Sequence, residues 1–138
     1  MITDTKTEKI ITIYFYLILI IGIIWTFFGS DELDNYGPVF FMIFGFPVFA
    51  VIYQKQFYSF SNMLKQERPD IFEKNVLNYS VLKGDVISGW SVFNNKKEFK
   101  EIEPLKLNRK YKLTMKAFNF CLLSFFLSIL ISIVLIYK

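Results

Sequence analysis

A chain of 138 residues is short enough for one domain, yet 54% of it is hydrophobic and 20% aromatic, with 17 Phe. So small a protein has too little interior to hide that many apolar side chains, which excludes an ordinary soluble domain. A single cysteine, Cys121, rules out an internal disulfide, and the absence of histidine removes the commonest metal ligand and the commonest general base near neutral pH. The expectation is therefore a non-enzymatic protein without cofactor or metal, and the formal charge of +4 matters less for its size than for where the charges lie.

Three windows hold no Asp, Glu, Lys or Arg: residues 10–30, 35–54 and 117–137. Each is about twenty residues, roughly 30 Å as a helix, which is the thickness of a bilayer's hydrocarbon core. The first, IITIYFYLILIIGIIWTFF, is apolar on every side. It is longer than the core of a signal peptide, and Trp25, Phe27 and Phe28 stand where small residues precede a cleavage site, so it reads as a retained anchor. After it come Asp31, Glu32 and Asp34, an acidic turn over residues 31–37 with Ser30 as a cap. The trio lacks the glycine-bearing pattern of a calcium loop.

The second span, residues 38–54, contains Gly45 and Pro47. Proline removes a backbone donor and kinks a helix, so a bent span is expected, with a re-entrant hairpin as the alternative. Pro38 is placed as a first-turn residue, and the helix is expected to run on as an exposed segment through Phe60 and Leu64 until Pro69 stops it. Residues 70–93 keep no period of 2 or 3.6 and read as short helical or strand pieces. From Pro104 a helix start leads without a break into the third span, residues 117–138.

Orientation follows from Lys and Arg. The link between the first two spans has none, whereas residues 55–116 carry thirteen against seven acids, a net of +6. Basic residues crowd the cytoplasmic ends of spans. The expectation is an N-terminus (residues 1–9) and a basic loop (residues 55–116) in the cytoplasm. The fold class is thus an all-α integral membrane protein with three transmembrane helices and a basic cytoplasmic loop of mixed short elements between the second and third.

Two surfaces are candidates for function. The run Lys106, Arg109, Lys110, Lys112, Lys116 beside the membrane suits anionic lipid, which attracts such residues by about 1 kcal/mol each, or an acidic partner; alternatively it only fixes topology. Tyr111 lies among these cations, but a net of +6 is thin support for nucleic acid, and none is expected as a partner. On the third span Ser124, Ser128 and Ser132, extended by Ala117 and Cys121, recur at helical spacing. Small residues permit close helix approach, toward a partner, another copy or the chain's own spans, while serines also bond back to their own helix. Cys121 reads as a small packing residue rather than a palmitoylation site. Asn78-Tyr79-Ser80 fits the glycosylation pattern but lies in the loop assigned to the cytoplasm.

The string Leu64-Lys65-Gln66-Glu67-Arg68-Pro69-Asp70-Ile71-Phe72, with Phe99, Glu103-Pro104-Leu105 and Arg109-Lys110 before a final span, resembles the second half of the universal stress protein B family. The likeness runs from Phe57 to the C-terminus. This chain departs from that pattern in having two spans before the loop and a lysine-rich end to it. The resemblance implies a bacterial inner-membrane location and transfers no catalytic residue. The leading functional expectation is an accessory or interaction subunit of that membrane. The alternatives are an immunity or inhibitor protein, or one subunit of an oligomeric transporter or channel with Tyr14, Tyr16 and the serines lining its path.

Overall fold

The computed structural model describes residues 2–28, 36–79 and 82–136. In chain order the elements are helix α1 (Ile2–Phe28), α2 (Gly37–Phe40), a π-helical turn (Phe41–Gly45), α3 (Phe46–Glu67), α4 (Pro69–Asn75), strands β1 (Val76–Tyr79) and β2 (Leu82–Ile87), α5 (Gly89–Asn94), α6 (Lys96–Lys100) and α7 (Leu105–Ile136). Three helical stretches are long and apolar enough to cross a membrane: Thr5–Phe28, Gly37–Glu67 and Leu105–Ile136. The acidic trio at residues 31–34, Ser30 and Ser80 lie outside the described residues.

The chain packs as two units, Ile2–Tyr53 with Lys116–Lys138, and Gln54–Met115. In the first, each long helix contributes one ring to an aromatic centre. Phe15 of α1 stacks on Phe120 of α7 with centroids 4.2 Å apart and planes at 4°, and Phe49 of α3 meets both, at 5.7 and 5.5 Å. Burial there runs opposite to a soluble protein. Thr26, Ser124 and Ser128 are buried, while Ile13, Ile20, Phe27, Phe28, Phe126 and Leu130 point outward, Phe28 with 82% of its surface exposed.

The second unit has the opposite pattern. Phe60, Leu64, Ile71, Phe72, Ile87, Val92, Phe99, Ile102, Leu107 and Tyr111 form one core drawn from α3, α4, β2, α5, α6, α7 and the segment before α7. Phe60, Phe99 and Tyr111 are mutually in contact, with centroids 5.7 to 5.8 Å apart. The exposed segment expected through Phe60 and Leu64 is therefore corrected: both side chains are fully buried. Helix α3 does stop before Pro69, which then opens α4 at its first turn with Asp70 at the positive end of the helix. The two strands pair antiparallel, Val76 with Ile87 and Tyr79 with Leu82, with a bulge between Val76 and Asn78. Polar groups tie the pieces down. The Ile87 N–H donates to Ser61 Oγ (3.1 Å), the Ser88 N–H to the Asn75 carbonyl (2.8 Å), and the Asn95 amide to Asn75 Oδ1 (2.9 Å). The buried Asn75 amide in turn donates to the Ile71 carbonyl (2.9 Å).

Exposed ion pairs dress this unit. Arg68 holds Asp70 through two parallel bonds of 2.9 and 2.7 Å, and Lys65 reaches Asp85 at 2.8 Å. The hydrogen bond from Arg68 holds the Asp70 carboxyl below its ordinary value, and the bond from Lys65 does the same for Asp85. A carboxylate with a depressed folded value stabilises the fold above its unfolded value, and that share is lost as pH falls through the folded one. Exposure keeps the share small. Carboxyl chemical shifts should therefore place both midpoints below about 3.9, and Lys65→Gln should return that of Asp85 to the ordinary range while leaving Asp70 in place.

Candidate functional site

The approach to the third span is set by helix periodicity. From Leu105 onward α7 buries Leu107, Lys110, Tyr111 and Thr114 on one side and exposes Lys106, Arg109 and Lys112 on the other. The five-residue basic cluster is thereby divided. Lys106, Arg109 and Lys112 share an outward flank of the Gln54–Met115 unit, whereas Lys110 retains only 8% of its surface and is not presented for docking. Lys116 belongs to the other unit, where its ammonium pairs with Glu8 of α1 at 2.9 Å. Tyr111, grouped with the cations by sequence, is a core residue stacked on Phe99 with planes at 21°. The same Gln54–Met115 unit also exposes Tyr58, Trp90 and Leu105. Exposed apolar and aromatic groups together with unburied cations can dock an acidic surface, the aromatics adding contact area at low entropy cost.

The serine stripe faces inward. Ser124 is fully buried and Ser128 nearly so, and a Cβ added at Gly45 would stand 2.9 Å from the Ser124 Cβ. Gly45 is thus the small partner that lets the second span approach the third. Ser128 and Ser132 donate back to the carbonyls of Phe125 and Ser128, both at 2.8 Å, so their hydroxyls are used within their own helix. The stripe packs on this chain's own spans, and the outer face of α7 is instead Leu122, Leu123, Phe125, Phe126 and Leu130.

The stretch of the second span around Gly45 and Pro47 has a definite form. Pro47 has no N–H to give, so one carbonyl a turn earlier loses its partner. The helix answers with a π turn over Phe41–Gly45, in which the Phe46 N–H bonds the Phe41 carbonyl five residues back. Side-chain donors from both neighbouring helices reach carbonyls at the break. The Tyr14 hydroxyl of α1 donates to the Phe44 carbonyl at 2.8 Å, and the Cys121 thiol of α7 lies 3.8 Å from the Phe46 carbonyl. Sequence spacing showed the proline but not these donors, because which carbonyl Tyr14 and Cys121 reach is set by how the three helices come together. Cys121 is accordingly a buried packing residue. Interhelical hydrogen bonds within membranes average about 0.6 kcal/mol, so Tyr14→Phe should lower stability by about that much in an SDS-unfolding titration of the full chain. A loss above about 2 kcal/mol would mean that the hydroxyl holds the break open rather than decorating it.

Among the described residues no group of three or more His, Cys, Asp or Glu is placed to hold a metal ion. In comparisons with protein-family models, curated proteins and solved structures, nothing matches this chain.

Proposed function

We infer that this is a multi-pass protein of a bacterial cytoplasmic membrane, with its N-terminus and residues 55–116 in the cytoplasm, acting as a non-enzymatic accessory or interaction subunit. The observation that carries the reading is the contrast in burial between the two units. One unit turns large apolar side chains outward and keeps Thr26, Ser124 and Ser128 inside, an arrangement suited to hydrocarbon as solvent. The other closes a core of its own around Phe60, Phe99 and Tyr111 and leaves Lys106, Arg109 and Lys112 exposed, as water on that side demands. Thirteen basic residues in that stretch support the cytoplasmic side, and the bacterial membrane is what a resemblance to the universal stress protein B family would imply.

A folded, basic module on three hydrophobic anchors is a docking platform, and the partner chemistry it suits is an acidic protein surface beside the membrane. Chemical cross-linking in cells followed by purification in mild detergent tests this. Wild-type chain should yield a defined cross-linked partner, and the triple change Lys106→Gln, Arg109→Gln, Lys112→Gln should reduce its yield about tenfold or more without changing the amount of the chain in the membrane. Equal yield from the triple variant would remove the basic flank from the account.

A further inference from the structure

We propose that the Glu8–Lys116 corner of the membrane unit is a binding site for one anionic phospholipid, its phosphodiester held by Lys9 and Lys116 and one acyl chain lying along the outer flank of α1. Three observations converge on it. First, Lys9 and Lys116 are the last charged residues before the uncharged runs of α1 and α7, and the Glu8–Lys116 pair at 2.9 Å brings those two boundaries together. Charges that end at one level on two neighbouring helices mark the depth at which headgroups lie. Second, a groove of about 340 Å³ opens at that level, lined by Thr5, Glu8, Lys9, Thr12, Ile13 and Lys116. Two cations and one anion leave it with a net charge of +1, the complement of a single phosphodiester.

Third, the groove does not end there. A second one of about 390 Å³ shares Thr12 and Ile13 with it and continues along Tyr16, Leu17, Ile20 and Ile21, with an almost wholly apolar lining. From Thr12 to Ile21 the helix rises roughly 14 Å, about half the thickness of a bilayer's hydrocarbon core, which is the depth of one leaflet. A groove edged by Glu8, Lys9 and Lys116 and opening directly onto a wholly uncharged one of leaflet depth has the chemistry of a phospholipid, headgroup above and chain below. Free phosphate would satisfy only the upper half. The hydroxyl of Thr12 already donates to the Glu8 carbonyl at 2.6 Å, so toward a ligand it offers only lone pairs, and the phosphate's partners are the two lysines and Thr5.

The proposal rests on the membrane reading above, and the test separates the two. The full chain is purified in mild detergent, stripped of lipid, and titrated with phosphatidylglycerol, phosphatidylcholine or inorganic phosphate while occupancy is read by native mass spectrometry. One phosphatidylglycerol should bind saturably and at least fivefold tighter than phosphatidylcholine, with inorganic phosphate not binding. Lys116→Gln and Glu8→Gln both break the ion pair, yet they change the site charge in opposite directions. Lys116→Gln should weaken phosphatidylglycerol about fivefold and Glu8→Gln should tighten it about fivefold, following the contribution of one basic residue near a lipid surface. Lys9→Gln, which leaves the ion pair intact, should also weaken it about fivefold.

Equal occupancy by both lipids, or a loss of binding in both ion-pair variants alike, would overturn the site, as would binding of inorganic phosphate at the lipid's affinity. A chain that stays soluble and monodisperse without detergent would instead overturn the membrane reading.

Discussion

Phe60→Ala is expected to remove about 3–5 kcal/mol from the stability of the Gln54–Met115 unit, the range for deleting a fully buried phenylalanine. The ring has no exposed surface and touches Phe99 and Tyr111 together, so its loss empties the place where α3, α6 and α7 meet. Neighbouring rings are themselves locked against one another, which limits how far the cavity can collapse. Hydrogen exchange on the full chain reads this directly. A loss of 3 kcal/mol or more corresponds to core amides of this unit exchanging at least about a hundredfold faster, since about 1.4 kcal/mol is one factor of ten. Phe60→Leu, which keeps most of the volume, should lose markedly less. Wild-type exchange in Phe60→Ala would mean that the segment following the second span is not a folded core at all.

Gly22→Leu is the second change with a large expected effect, and its mechanism is the reverse. A Cβ added at Gly22 would come within 2.4 Å of two ring atoms of Phe41, whose side chain is almost wholly buried at the π turn. Helices in hydrocarbon associate through close van der Waals packing rather than through expulsion of water, so a lost close approach is not compensated by added apolar surface. Overpacking costs about 1–3 kcal/mol in well-packed interiors, and a leucine at a position that does not admit even a methyl group should lie at or above the top of that range. The SDS fraction that unfolds the membrane unit should fall accordingly. Ile20→Leu, on the exposed flank of the same helix, should leave it unchanged. An unaltered midpoint for Gly22→Leu would show that α1 does not pack on the π turn as described.

What could be read from sequence depended on how many residues carried each signal. The three apolar helices announce themselves through some twenty consecutive uncharged positions, and proline marks the end of α3 and the start of α7 within a residue or two. The core of the Gln54–Met115 unit was not legible for a physical reason. Seven segments each contribute only one or two buried apolar residues, so no segment keeps a period long enough to show an inner face. That is why Phe60 and Leu64 looked like an exposed extension and Tyr111 like a companion of the lysines. Lys110 is a different case. Leu107, Lys110, Tyr111 and Thr114 already occupy i, i+3, i+4 and i+7, and counting charges rather than following that face hid the burial of one lysine. The serine stripe was visible as a packing surface, but its partner depended on Gly45 lying opposite Ser124, a tertiary fact. The π turn follows from Pro47, whereas the donors from Tyr14 and Cys121 follow from how three helices come together.

The central claim is a three-span membrane protein whose N-terminal side and basic module share the cytoplasmic face. It is tested most directly by thiol labelling in intact cells. In a Cys121→Ser background, a single cysteine replaces either Tyr36, exposed at the start of α2, or Lys97, exposed on α6. A membrane-impermeant maleimide should label Tyr36→Cys in intact cells and Lys97→Cys only after the membrane is opened. Labelling of Lys97→Cys from outside, with Tyr36→Cys protected, would invert the orientation; equal labelling of both would contradict a chain that crosses the membrane between them.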